Sequence, residues 1–244
     1  VIGNSITLTL FGESHGTAIG GVLDGFPSGV RIDEKLIEDM MAKRRAAGAA
    51  STGRHEADVP QFLSGIHDGY SEGTPIAFVI ANTSQHSGDY DALKNIARPG
   101  HADYTGHIHY YGYEDASGGG HFSGRLTAVM VAAGAICMCL LRERKIAIGT
   151  HIADLCGIQD RPFRESDLQT DISLLNKRTF AVLDETKEAE MMEKILEAKK
   201  DLDSVGGILD TAVIGLPAGY GDPEFDSLES SLAHAMFSIP AVKG

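Results

Sequence analysis

Cysteine is scarce in this chain. Cys137, Cys139 and Cys156 are the only three in 244 residues, and no CxxC pair occurs. An odd number without that pairing argues against a disulfide framework or a zinc site, and it fits a reducing compartment, so the expected location is the cytoplasm. Basic charge is scarce as well. Lys and Arg total 21 against 34 Asp and Glu, for a net charge of −13. That balance argues against general nucleic-acid binding and against docking on an anionic membrane. It leaves a small anionic ligand open, because a local cluster of cations can oppose the global sign. Long apolar runs are missing too. The longest, AVMVAAGAICMCLL at 128–141, has 14 residues, short of a membrane span, and predicts a buried helix. There is no visible signal peptide, repeat of solenoid period or linker, so one domain is expected over 1–244. The chain starts on Val1 and ends on Gly244 without an obvious stop, and we expect it to be incomplete at the C-terminus.

What is present reads as a mixture of strands and helices. Ile6, Leu8 and Leu10 alternate with Thr7 and Thr9, predicting a strand over 5–11 and a second over 17–24. Asp33 is placed to cap a helix through EKLIEDMMAKRR, with Leu36, Ile37, Met40 and Met41 on one face and Lys43, Arg44 and Arg45 in the last turn. AAGAASTG at 46–53 reads as a loop. QFLSGI and PIAFVIAN read as strands, and residues 83–124 as a long irregular segment, usually a functional feature. A helix over 126–142, a strand over 145–158, a helix over 186–202, a strand over 208–217 and a short helix over 226–239 follow. Without a regular βαβ rhythm, the expected class is α+β.

Three corners concentrate the chemistry. GESHG at 12–16 carries Ser14 and His15. RPGHAD at 98–103 carries Arg98, His101 and Asp103. ASGGGHFSGR at 116–125 carries three consecutive glycines, His121, Phe122, Ser123 and Arg125, and runs into the apolar helix. Glycines before a helix let backbone N–H groups approach an anion. The glycine run is neither a Walker loop nor GxGxxG. With Arg98, Arg125 and the Lys43–Arg45 cluster the pieces suit a phosphate or carboxylate, and the histidines suit proton transfer near neutral pH. Each piece alone has a structural reading: a histidine in a turn, a flexible glycine loop, a solvated helix end. His107 and His109 form an HxH pair, but no further ligand stands at a recognisable metal spacing, so no metal is expected.

Taken together, GESHG, RPGHAD and GGGHFSGRLTA, with FLSG, GTPIAFVIANT, GLPAG and SIPAVKG in order, resemble the chorismate synthase family over nearly the whole chain. The resemblance implies a layered sandwich of β-sheets and helices. It implies a carbon–oxygen lyase of the shikimate route and aromatic amino acid biosynthesis. The reaction is a 1,4-anti elimination of phosphate from 5-enolpyruvylshikimate-3-phosphate, giving chorismate. It also implies reduced FMN as cofactor, NADPH only indirectly as reductant, a cytoplasmic homotetramer, and no nucleic-acid or membrane partner. Carried over by motif, His15 lies at the substrate phosphate and His101 near the reduced flavin ring. Ser14 sits beside His15, Arg44, Arg98 and Arg125 face the substrate anions, and His121, Phe122 and Ser123 stand where the family contacts FMN. The sequence departs from the pattern in two places. RRAAGAASTG lacks a proline and a second arginine that many members carry, and His121 replaces a common arginine. A non-catalytic fragment or anion-binding domain of the same fold stays open as the alternative.

Overall fold

Alternation of Leu8 and Leu10 with threonines produces the first strand, β1 (Thr7–Gly12), which pairs antiparallel with β2 (Ala18–Asp24) across the GESHG corner. The computed structural model describes residues 1–45, 56–83 and 96–244. The predicted loop at 46–53 and its departures from the family pattern therefore lie outside the described residues, as does part of the predicted irregular segment. The described chain falls into two compact units, one made of 1–45, 56–83, 96–140 and 219–244, the other of 141–218.

In the first unit Asp33 caps α1 (Glu34–Arg44), its carboxylate accepting from the Leu36 amide at 3.1 Å. The helix buries Leu36, Ile37 and Met41 and ends in Lys43 and Arg44, where cations oppose the carbonyl end of the dipole. QFLSGI does not make one strand. Gly65 adopts φ +83° and turns the chain, leaving β3 (Gln61–Phe62), β4 (Ile66–His67) and β5 (Tyr70–Ser71) as short pairings. PIAFVIAN supplies β6 (Ile76–Ala81), and the sheet runs β1-β2-β6-β3, antiparallel throughout. The segment expected to be irregular contains a helix, α2 (Asp103–His109). Glycines and exposed aromatics around it hide its period.

The apolar run becomes α3 (Thr127–Glu143). With the 3₁₀ turn before it, the helix covers Gly124–Glu143, 20 residues, and is long and apolar enough to cross a membrane by length and composition. It is longer than its 14-residue apolar run because Gly124–Thr127 and Arg142–Glu143 extend it. Ala128, Val129, Ala132 and Ile136 are buried in the same cluster as Ile19, Ile76, Phe78, Ile80 and Met41, so α3 is the core helix of this unit. Gly21 of β2 permits that packing, since a Cβ there would meet Val129 Cγ1 at 2.6 Å. Burying each large apolar side chain contributes roughly 1.5–3 kcal/mol.

In the second unit the predicted strand over 145–158 is a hairpin. Cys156 and Gly157 both take positive φ, separating β7 (Ala147–Leu155) from β8 (Ile158–Gln159). A helix not expected from the sequence, α4 (Leu168–Leu175), packs on β7, where Gly149 brings the backbone to Ile172. Next come α5 (Glu185–Lys200), capped by Asp184, and β9 (Gly207–Ile214), which completes an antiparallel sheet of order β8-β7-β9. Leu155, Val182 and Met191 form its core. The last helix, α6 (Leu228–Phe237), returns to the first unit. The α+β reading holds, with every described strand pair antiparallel.

Candidate active site

The GESHG corner and the GGGH turn meet in the first unit. The Ser14 amide donates to the Gly120 carbonyl at 3.0 Å, and His121 Nδ1 lies 2.9 Å from the Gly12 carbonyl. Gly118, Gly119 and Gly120 all adopt positive φ, a conformation only glycine takes without strain. The missing side chains also make room for the histidines. A Cβ on Gly118 would collide with the His15 imidazole, and one on Gly119 would lie 2.9 Å from His101 Cε1 and 3.2 Å from Arg98 Nη2. His15 and His101, 86 positions apart in the sequence, therefore flank consecutive glycines of one turn.

RPGHAD is held by its own acid. Asp103 accepts from Arg98 Nε at 2.8 Å and Nη2 at 2.9 Å, and His101 Nδ1 lies 2.6 Å from its Oδ1. The Arg98 guanidinium keeps the Asp103 carboxyl well below the usual carboxylate range. A carboxylate on Nδ1 selects the Nδ1–H tautomer and leaves Nε2 as the nitrogen that can exchange a proton. The His101 side chain is 27% exposed and Arg98 43% exposed, so both reach solvent.

The other two arginines converge on an acid that carries no motif. Arg44 Nη1 meets Asp58 Oδ2 at 2.6 Å, and Arg125 Nη1 pairs with Asp58 Oδ1. Arg125 is buried, and its Nε donates to Asn82 Oδ1 at 2.9 Å while Nη2 donates to the Ala81 carbonyl at 3.3 Å. Asn82 Nδ2 in turn donates to the carbonyls of Glu13 and Gly16 at 3.1 and 2.8 Å. One continuous network thus joins the arginine pair to the corner that carries His15. Ser14 is buried beneath that corner, and Ser123 accepts from the Arg125 amide at 3.2 Å. Beside the turn lies a cavity of about 420 Å³ lined by Phe11, Glu13, Tyr110, Glu114, His121 and Phe122, among others.

The structure therefore brings His15, Arg98, His101 and His121 to one glycine turn, and ties Arg44 and Arg125 together behind it. His107 and His109 stand apart. They lie two positions apart on α2, hence on different faces. His107 pairs with Glu114 at 2.8 Å and the His109 ring sits edge-on to Tyr110. Among the described residues, no cluster of three potential ligands could hold a metal. Sequence reasoning missed Asp58 and Asn82. Asn82 did leave a signal: it continues the phase of Ile76, Phe78 and Ile80, all fully buried, and a polar residue in a buried phase demands partners. Asp58 left none.

The profile of the chorismate synthase family matches residues 6–244. The chain belongs to the chorismate synthase family. A chorismate synthase of Campylobacter fetus subsp. fetus (strain 82-40) is 44% identical over 242 residues, spanning 99% of this chain and 66% of the relative. One of Methanosarcina mazei is 41% identical over 245 residues, again covering 66% of the relative. The chain thus spans slightly less than two thirds of the length of these curated relatives. A crystal structure of chorismate synthase superposes with a TM-score of 0.77 at 25% identity, over 99% of this chain and 67% of that one. That likeness supports the α+β fold, and the residues matched by the family profile include the GESHG, RPGHAD and GGGH corners.

Proposed function

We propose that the intact protein is a chorismate synthase, eliminating phosphate from 5-enolpyruvylshikimate-3-phosphate to give chorismate. One observation carries the reading most directly: His15 and His101 flank adjacent glycines of a single turn, with Arg98 alongside. The overall change breaks one C–O bond and one C–H bond and forms one C=C bond, with no net redox change. The leaving phosphate needs a proton and a positive field. His15 supplies the proton, and Arg98 and Arg44 supply the field, which an acidic protein must concentrate locally. Arg125 and Ser14, both buried, act from behind the surface by holding the corner and the Arg44–Asp58 pair in place.

The turn and its neighbours fit a flat aromatic cofactor. Phe11, Tyr110, Tyr113 and Phe122 line the cavity beside the turn, while the His15 and His101 rings fill the space over Gly118 and Gly119. His121, Phe122 and Ser123 would contact reduced FMN, which when bound supplies electron density to the carbon losing phosphate. Asp103 fixes His101 so that Nε2 holds or moves the proton on the flavin side. We further propose that the protein works in the cytoplasm as a homotetramer; the three cysteines are free in the structure. The test is anaerobic conversion of the phosphorylated substrate with chemically reduced FMN and the intact protein. Release of stoichiometric phosphate and chorismate supports the reading; binding of substrate without product assigns the chain to an anion-binding role instead.

A further inference from the structure

We propose that Asn82 is a positioning residue for His15. The inference rests on the function proposed above, and on a hydrogen-bond arrangement that only an amide can complete. Asn82 follows β6, 9% exposed, and its backbone N–H donates to the Thr17 carbonyl at 3.1 Å. Its side-chain Nδ2 donates to the Glu13 and Gly16 carbonyls at 3.1 and 2.8 Å, one on each side of Ser14 and His15. Its Oδ1 accepts from Arg125 Nε at 2.9 Å. Two carbonyls demand a donor and a guanidinium demands an acceptor, so the orientation of the amide is fixed by its partners. Flipped, the amide would oppose oxygen to oxygen and N–H to N–H.

The consequence reaches the chemistry. The corner that carries His15 is a tight turn between two strands, and a turn alone does not fix an imidazole to the tolerance that proton transfer needs. Asn82 clamps both ends of that turn. Through Arg125 it also ties the turn to Asp58, and through Asp58 to Arg44. The arginine pair keeps Asp58 and the Ala81 carbonyl as partners of its own, so it is the imidazole corner that depends on the amide. No other side chain type of similar volume does this: aspartate loses the two donations, and leucine loses all three bonds.

The test uses the intact protein with Asn82→Ala, which removes the clamp, and Asn82→Asp, which keeps the acceptor and opposes the two carbonyls. Each should lower kcat about 100-fold, the scale of a ~1 Å misplacement of a reacting group, with KM changed less than about threefold. The decisive readout is the double variant. In a His15→Ala background Asn82→Ala should cost less than about threefold more, because its effect passes through the imidazole. An undiminished loss in that background, near-wild-type turnover in both single variants, or loss of cooperative unfolding in both overturns the positioning role. A wild-type protein without turnover would contradict the proposed function rather than this clamp. The histidine ¹⁵N–¹H spectrum then decides: Asn82→Ala should move the His15 ring resonances while those of the exposed His67 and His234 stay. An unmoved His15 overturns the proposal.

Discussion

Asp103 accepts from both the cation and the imidazole of RPGHAD, and that gives the site an acid limit. Its carboxyl is held below the usual range by Arg98 first, with His101 adding to the effect. A depressed folded-state value means that the clamp contributes fully above the unfolded value, about 3.9, and is lost as pH falls below it toward the folded value. The protection of the amides across 98–103, taken relative to their intrinsic exchange rates, should therefore fall between about pH 4 and pH 2, and Asp103→Asn should abolish that acid transition while exposing the segment at all pH values. Protection that stays constant over that range in the unmodified protein would contradict the clamp. His101 and Asp103 share one motif in the sequence, but the direction of the pairing was not legible there. Spacing places the residues in one corner; only geometry shows that Nδ1 faces the acid. Asn82 was partly legible, as a polar residue in a buried strand phase. Asp58 was not, because nothing in HEADV distinguishes an acid that neutralises two buried or half-buried arginines from one that faces water.

The Gly118–Gly120 turn is the element on which the account depends. Its three positive φ values and its contacts make different demands, and substitution separates them. Gly119→Ala should cost about 1–2 kcal/mol for left-handed backbone, and should also push His101 and Arg98 aside. Gly69→Ala meets the same backbone penalty at φ +80° but has none of the described residues within 4 Å of the added carbon. Thermal unfolding should show similar losses for both, while turnover should fall more than about tenfold for Gly119→Ala alone. Equal activity in the two variants would show that the turn is only a loop. The other elements were legible to different degrees. Helices with a cap and a clear face, α1 and α5, were found near their observed limits because Asp33 and the charge pattern mark them. α2 and α4 were missed: both are short, and α2 is surrounded by glycine and exposed tyrosine that blur the period. The hairpin at Cys156–Gly157 was read as one strand because a cysteine at positive φ gives no warning.

For the molecule as a whole, the acidic surface and the cationic site are reconciled by pairing. A net charge of −13 is compatible with an anion site because cations are gathered there: among the described residues Arg98 pairs with Asp103, and Arg44 and Arg125 share Asp58. The second unit uses the same device for stability. Asp171 is fully buried on α4 and accepts from Arg161 at 2.8 Å and Arg164 at 2.7 Å, which hold its carboxyl well below the usual range. Asp171→Asn should cost about 2–3 kcal/mol, the range for losing charge-assisted hydrogen bonds, read as a shift of the urea midpoint; an unchanged midpoint would show the cluster to be idle. The central claim concerns the two histidines on one turn. It is tested most directly by anaerobic turnover of 5-enolpyruvylshikimate-3-phosphate with reduced FMN, comparing the intact protein with its His15→Ala and His101→Ala variants. The account predicts chorismate from the wild type, a loss of about 10²–10⁴-fold in each variant, and weaker substrate binding in His15→Ala than in His101→Ala. Near-wild-type turnover in both variants would contradict it.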